Sequence, residues 1–431
     1  MSKWTPKSLI EQIKVQARFD LFQNSYGSLN GQLSGLKRVQ DLVTKTESPA
    51  THLFSAPGRT ELGGNHTDHN HGKVICAAVQ NDTLAAVSPR SDGQVVVRSQ
   101  GFSEVFSVNS SDLDARLDEQ GNTNSLIRGV MAGVVKAGGQ LGGFNADITS
   151  NVGVGSGLSS SASFEVLLGT IINDLFNNNE IAAEEIARIG QFAENTFFGK
   201  PCGLMDQTAS AVGGILQLDF KDPTNIDINR VNFNLEDTNY LLVVVNTGSS
   251  HADLTAAYAS IPGEMKSVAA HMGAEVLRSQ KKTQVLENLN AIRSELGDRA
   301  VLRAMHYYSE NQRVNQMVAA LEANDFEAFL DNVAASGASS QNILQNVIPP
   351  RSDGKEQGLA LTLGISQLFM EEKGRGVARV HGGGFAGTIQ AYVHEQDFTE
   401  YNDLMSRFLG PEAIELLKIR PHGACQLLQL K

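Results

Sequence analysis

Arg59, Asn65, His66, Thr67, Asp68, His69 and His71 fall within one short stretch, Ala56–Gly72. It is interrupted by glycines and followed by the apolar run Val74–Val79. Hydrogen-bonding side chains at that density suit a hydroxyl-rich ligand, since polar groups fix its orientation while glycines let the backbone approach it. A solvated polar loop has the same composition, so a second stretch has to decide. Residues 153–163 read Gly-Val-Gly-Ser-Gly-Leu-Ser-Ser-Ser-Ala-Ser and run into the apolar segment Phe164–Ile172. Glycines, serines and then an apolar run predict a loop feeding a helix N-terminus, where free N–H groups and the helix dipole hold anions. Ser159, Ser160 and Ser161 add donors for phosphate oxygens and one magnesium ligand. No lysine occurs in this loop, so it is not a Walker A sequence, and Leu158 stands where a dinucleotide fingerprint needs its third glycine.

Two further segments complete the set. Glu194–Gln207 carries the carboxylates Glu194 and Asp206, and Arg379–Gly387 contains the glycine triplet 382–384. Taken singly, Glu194 and Asp206 read as caps or solvated charges.

The motifs in this order resemble those of the galactokinase family of the GHMP small-molecule kinases, over most of the chain from about Leu53. The first stretch is similar to the family's sugar motif, Gly-Arg-Val-Asn-Leu-Ile-Gly-Glu-His-Thr-Asp-Tyr-Asn. The second is similar to its phosphate loop, and Arg379–Gly387 to its C-terminal Thr-Gly-Gly-Gly-Phe-Gly-Gly. The resemblance implies an α+β fold of two lobes, the GHMP kinase fold, with the active site in the inter-lobe cleft. It implies ATP and Mg2+ as cofactors and phosphorylation of a galactose-like sugar at its anomeric hydroxyl. By the same carry-over Asp206 is the catalytic carboxylate and Arg59 its cation. Asn65, His66, Thr67, Asp68 and Tyr258 occupy sugar positions. Gly155, Ser156, Gly157, Leu158, Ser159, Ser160 and Ser161 form the phosphate loop, with Ser99 near the nucleotide. Ser161 and Glu194 are the implied metal ligands.

The departures bear on substrate. Asn65 stands where the family carries a glutamate that contacts the C6 end of the sugar, which removes a negative charge and adds donors. A galacturonate or other C6-altered sugar is therefore an alternative substrate. Glu61 replaces an asparagine, His69 a tyrosine, Ser250 a usually basic residue and His381 a threonine. A galactokinase-like sugar sensor without turnover is the rival from outside enzymology, although the phosphate loop and the catalytic aspartate are both present. A mevalonate- or homoserine-type substrate conflicts with the His66-Thr67-Asp68 triad.

The rest of the chain must position these groups. Its 431 residues predict two lobes, and 41% hydrophobic with 19% charged residues is the composition of a globular protein. No apolar run reaches membrane-spanning length, the N-terminus lacks a signal-peptide pattern, and the three cysteines are scattered. A cytoplasmic enzyme is expected, without membrane or nucleic-acid partners, and as a monomer. The net charge of −12 argues against nucleic acid, and it requires ATP to be attracted locally, by magnesium and the phosphate loop. His66, His69 and His71 lack the further ligands of a zinc site.

Residues 1–50 are expected to form a helical pair broken at Gly27 and Gly31, residues 51–225 the first lobe, and residues 226–431 the second. The last strand is expected to return to the first lobe. Strands are predicted at Leu53-Phe54, 74–79, 95–97, 144–148, 215–218, 241–245 and 388–393. Helices are predicted at 125–137, 160–176, 180–198, 204–212, 264–294 and 298–323.

Overall fold

The structure, a computed structural model, describes residues 6–15, 19–26, 29–46, 49–153, 157–249, 254–350 and 354–430. Gly155, Ser156, Ser250 and Gly27 lie outside the described residues.

The strands, in chain order, are β1 (His52–Gly63), β2 (Lys73–Arg90), β3 (Gln94–Ser99), β4 (Val105–Asn109), β5 (Gly143–Ser150), β6 (Ile215–Asp219), β7 (Asp227–Val231), β8 (Tyr240–Asn246), β9 (Val377–Val380), β10 (Thr388–His394), β11 (Ile414–Leu417) and β12 (Cys425–Gln429). One sheet runs β12-β1-β2-β5-β3-β4, with β6 pairing β2 and β7 pairing β6. The other runs β11-β8-β10-β9. Among the described residues only β3 and β5 pair in parallel. β7 extends the first sheet beyond residue 225, and β12 pairs with β1, so that sheet draws on both sides of the expected lobe boundary.

β1 continues well past Phe54. Ala56–Gly63 is strand, with Arg59 opposite Ala78 and Glu61 opposite Cys76, so Arg59 and Glu61 sit on a sheet and not in a turn. Register shifts fall between Pro57 and Arg59 and between Glu61 and Gly63. A bulge tolerates the missing N–H of Pro57 and re-aims the side chains beside it. The true turn is the short connection from Gly64 to Gly72.

Alternation along the strands splits the sheet's apolar residues between two faces. Phe54, Ala56, Val74, Cys76, Val95 and Val97 share a core with α4 (Thr123–Lys136), α5 (Ser160–Phe176), α6 (Ala183–Phe192) and α7 (Met205–Val212). The opposite face is covered twice. Leu53, Leu84 and Ala86 meet the N-terminal helices α1 (Pro6–Val15), α2 (Phe19–Tyr26) and α3 (Leu29–Lys45), together with Leu427 and Leu428 of β12. Leu62, Ile75, Ala77 and Val79 instead join β8, β9 and β10 and the helices α11 (Asp298–Glu322) and α12 (Phe326–Ser339) in a core common to both sheets. The second sheet also packs α13 (Gly358–Lys373) and α14 (Phe398–Leu409). Helices α8 (Thr255–His271), α9 (Lys282–Glu287) and α10 (Leu289–Leu296) form a further cluster with α11.

The N-terminal region is three helices, not a pair, and Gly31 lies inside α3. Its cost in helix propensity is outweighed by the packing of Leu36, Val39, Leu42 and Val43. Buried Asp82 locks this layer down, accepting hydrogen bonds from Tyr26 Oη at 2.9 Å and Ser55 Oγ at 2.6 Å. Arg38 pairs with it, and Arg420 approaches from the C-terminal segment. Among the described residues no helix is long and apolar enough to cross a membrane.

Candidate active site

The bulged part of β1 lies directly under the phosphate loop. Arg59 N–H donates to Leu158 O at 2.9 Å, and a Cβ on Gly58 would come within 2.9 Å of the same oxygen. Only glycine permits that approach. The Arg59 guanidinium donates from Nε to Asp206 Oδ1 at 2.7 Å and from Nη2 to Asp206 Oδ2 at 2.6 Å, while its Nη1 donates to Gly157 O. Asp206 opens α7 and also accepts Ser159 Oγ at 2.7 Å. Burial opposes its charge, but Arg59 and Ser159 prevail and hold the carboxyl below its ordinary range. Sequence motifs far apart thus meet at one carboxylate.

A second carboxylate stands beside it. Glu194 lies in a π-helical turn, Ala193–Phe198, which interrupts the helix predicted over 180–198; such turns recur at functional sites. Its Oε1 accepts Ser161 Oγ and Lys200 Nζ, each at 3.1 Å, and its Oε2 accepts Gln207 Nε2 at 3.1 Å. Gln207 also donates to Glu165 Oε2 at 3.0 Å. Burial, and then the charge of Glu194, push the Glu165 pKa well up, which favours its neutral form. The Glu194 carboxylate and the Ser161 hydroxyl offer hard oxygen donors to one point, where a lysine ammonium now stands in for a cation. This donor set fits magnesium.

The sugar loop is held from two sides. Asn65 Nδ2 donates to Gly382 O at 2.6 Å and His66 Nε2 to Gly383 O at 2.9 Å, which ties the loop to the glycine triplet. Tyr258 Oη closes the same turn by donating to Gly384 O at 2.6 Å. From the other side one face of α11 grips four backbone atoms. Glu310 Oε1 accepts Gly64 N–H at 3.1 Å, His306 Nε2 donates to Asn65 O at 2.9 Å, Tyr307 Oη donates to Asn70 O at 3.0 Å, and Asn311 Oδ1 accepts Lys73 N–H at 2.6 Å. These residues were not singled out in the sequence. The signal was there, in polar residues at helical spacing along a partly apolar helix, but a solvated face carries the same pattern.

Two of the sugar positions point inward. Asn65 is 1% exposed; its Oδ1 accepts from Asn346 Nδ2 at 2.9 Å and its Nδ2 also reaches Glu61 Oε1 at 3.2 Å. Thr67 is fully buried and its hydroxyl bonds within the loop, to Gly64 O and Lys73 O. His66, Asp68 and Tyr258 are partly open. Asp68 faces Gly203, where an added Cβ would meet its Oδ2 at 2.5 Å, so it lies against the segment leading to Asp206. Burial drives the His66 pKa down to about 4, so the ring is neutral near pH 7.

Glu61 pairs with buried Arg379 of β9, which also donates to Leu62 O at 2.9 Å. The carboxylate absent from position 65 is therefore present at position 61, beside the Asn65 amide. His381 sits between Thr60 and Thr388, each 3.0 Å from a ring nitrogen, and presses on Gly157. Burial, followed by Arg59 and Arg379, lowers its pKa to about 3. Ser99 ends β3 and borders a cavity of about 190 Å³ with Leu42, Lys45, Asp147 and Ile148, at the end of β5 from which the chain runs toward the phosphate loop.

The glycine- and serine-rich stretch lies at a helix N-terminus over an Arg–Asp pair in a two-sheet fold, and GHMP kinase sequence signatures fall on these same segments. The domain described as "GHMP kinases N terminal domain" matches residues 125–214, and the "Galactokinase galactose-binding signature" matches residues 43–89. The chain is thus similar to GHMP kinases over residues 125–214 and to galactokinases over residues 43–89.

Solved structures share the fold. Lactococcus lactis galactokinase, complexed with galactose, is 24% identical with a TM-score of 0.75, over 91% of this chain and 99% of that one. Methanococcus jannaschii mevalonate kinase is 15% identical with a TM-score of 0.60, over 86% and 98%. Streptococcus pneumoniae phosphomevalonate kinase, in complex with phosphomevalonate and AMPPNP, is 15% identical with a TM-score of 0.56, over 87% and 99%.

Proposed function

We propose that the chain transfers the γ-phosphoryl group of ATP to the anomeric hydroxyl of galactose or a close analogue, giving the sugar 1-phosphate. The observation that carries this reading is the Arg59–Asp206 pair, stitched to the phosphate loop through Gly157 and Leu158 and flanked by the sugar loop.

Phosphoryl transfer needs positioning and charge stabilisation more than covalent chemistry from the protein. Asp206 accepts or orients the hydroxyl proton as the sugar oxygen bonds to phosphorus and the bridging bond breaks toward ADP. Arg59 keeps Asp206 ionised and stabilises the developing charge. The N-terminal N–H groups of α5 receive phosphate oxygens, and Gly155–Ser161 cradle them. Ser161 and Glu194 would hold magnesium, which would neutralise phosphate charge. His66, Asp68 and Tyr258 border the sugar, while Asn65 and Thr67 shape the loop that presents them.

The C6-altered reading loses its main support, because the Asn65 amide is buried and committed to Gly382 O and Asn346. Galactose is the favoured substrate and galacturonate the comparison. The test is ADP release with ATP and magnesium over galactose, galacturonate, galactosamine and arabinose. Turnover on galactose supports the reading, turnover on galacturonate alone replaces it, and silence on every sugar favours the sensor.

A further inference from the structure

Lys200 is placed unusually for a surface lysine. Its side chain is 63% exposed, yet its Nζ donates to Glu194, which is 3% exposed. The same Glu194 oxygen accepts Ser161 Oγ from the first turn of α5. The ammonium and the anion-binding helix end therefore converge on one atom. The Lys200 charge also reaches Asp206. Burial opposes the ammonium charge, but Glu194 and Asp206 outweigh it and keep the group protonated.

A pair with so exposed a partner contributes little to folding, about 0–1 kcal/mol. Stability therefore does not account for the lysine. A chain of net charge −12 needs local cations to hold ATP. Arg59 is committed to Asp206 and Gly157 O. The Lys200 N–H is anchored on Glu194 O at 3.1 Å, which leaves the flexible side chain as the moving part.

We propose that Lys200 is a catalytic residue that binds the transferring phosphoryl group, its ammonium passing from Glu194 to the terminal phosphate oxygens once Glu194 engages the metal ion. The inference rests on the kinase reading above. The ammonium keeps its proton throughout. The sugar oxygen bonds to the γ-phosphorus, the bond from phosphorus to the bridging oxygen breaks with its electron pair going to ADP, and the hydroxyl proton goes to Asp206. Lys200 neutralises charge on the phosphoryl oxygens from the Glu194 side.

The test is calorimetric binding of AMPPNP and of ADP at saturating magnesium, without sugar, to the wild type, Lys200→Ala and Lys200→Arg. The expected result is AMPPNP affinity about 10- to 100-fold weaker in Lys200→Ala, ADP affinity unchanged, and partial recovery in Lys200→Arg. Wild-type AMPPNP affinity in Lys200→Ala, or equal weakening of both nucleotides, overturns the proposal. A wild-type chain that binds neither nucleotide overturns the kinase reading itself.

Discussion

Arg59 meets Asp206 fork to fork, with one guanidinium nitrogen on each carboxylate oxygen at 2.7 and 2.6 Å. A planar guanidinium can do this where a lysine ammonium cannot. Arg59→Lys should therefore lower kcat about 10²–10³-fold even though charge is conserved. Asp206→Asn should lower it about 10²–10⁴-fold with nucleotide affinity retained. Single-turnover kinetics beside nucleotide titration will check both. An Asp206→Asn enzyme of wild-type kcat would remove Asp206 from the chemistry.

The depressed pKa of Asp206 sets a pH dependence. A base that is ionised below the ordinary carboxylate range stays active as pH falls, so the acid limb of kcat should lie below about pH 4. The paired carboxylate stabilises the fold above its unfolded pKa, and that contribution is lost as pH falls through the folded one. A pH–rate profile with its acid limb near pH 6 would contradict this assignment.

Glu194→Gln removes the charge but keeps an oxygen at the proposed metal position. The half-saturating magnesium concentration should rise at least about tenfold, with less change in sugar KM. Titrating activity against magnesium at fixed ATP is the measurement. An unchanged requirement would assign Glu194 to structure.

The grip of α11 on the sugar loop should be visible as sugar affinity. His306→Ala should raise sugar KM while leaving ATP KM near wild type; equal changes in both would mean general damage. Glu310 also reports on stability. Burial opposes its charge, but His306, Arg313 and Arg379 bring its pKa to about 2. Against an unfolded value of about 4.3, its contribution is complete above that pH and fades toward pH 2, on the order of 3 kcal/mol. Urea unfolding of Glu310→Gln at several pH values should show a flatter acid profile than the wild type.

Asn65→Glu restores the family's residue at that position and should still harm this chain. A second carboxylate would be buried against Glu61 and would face Gly382 O without a donor. Stability should fall by about 3–5 kcal/mol, read as a lower Tm. An undiminished Tm would mean that the Asn65–Glu61 network relaxes freely.

Much of the site was legible because its loops are continuous in sequence. The glycine–serine run leading into Phe164–Ile172 marked α5 at its observed limits. The extension of β1 through Arg59 was hidden, because glycines and charged residues there mask strand alternation, and pairing with β2 decides the outcome. The π turn that carries Glu194 left no trace, since a single wide turn preserves an otherwise helical pattern. His306 and Glu310 act on Asn65 and Gly64, partners that only the tertiary fold brings near.

The pairing of β12 with β1 has a consequence for how the protein is made. β1 carries Arg59, and among the described residues its outer edge is covered only by residues 425–429, far downstream. Leu427 and Leu428 also complete the cluster that seats α1 to α3. On the ribosome this sheet thus waits with a bare edge until residues 425–429 have emerged. Contacts so distant in sequence form late, and exposed strand edges invite wrong partners meanwhile. The strand that carries Arg59 is completed only when β12, far downstream, pairs with it.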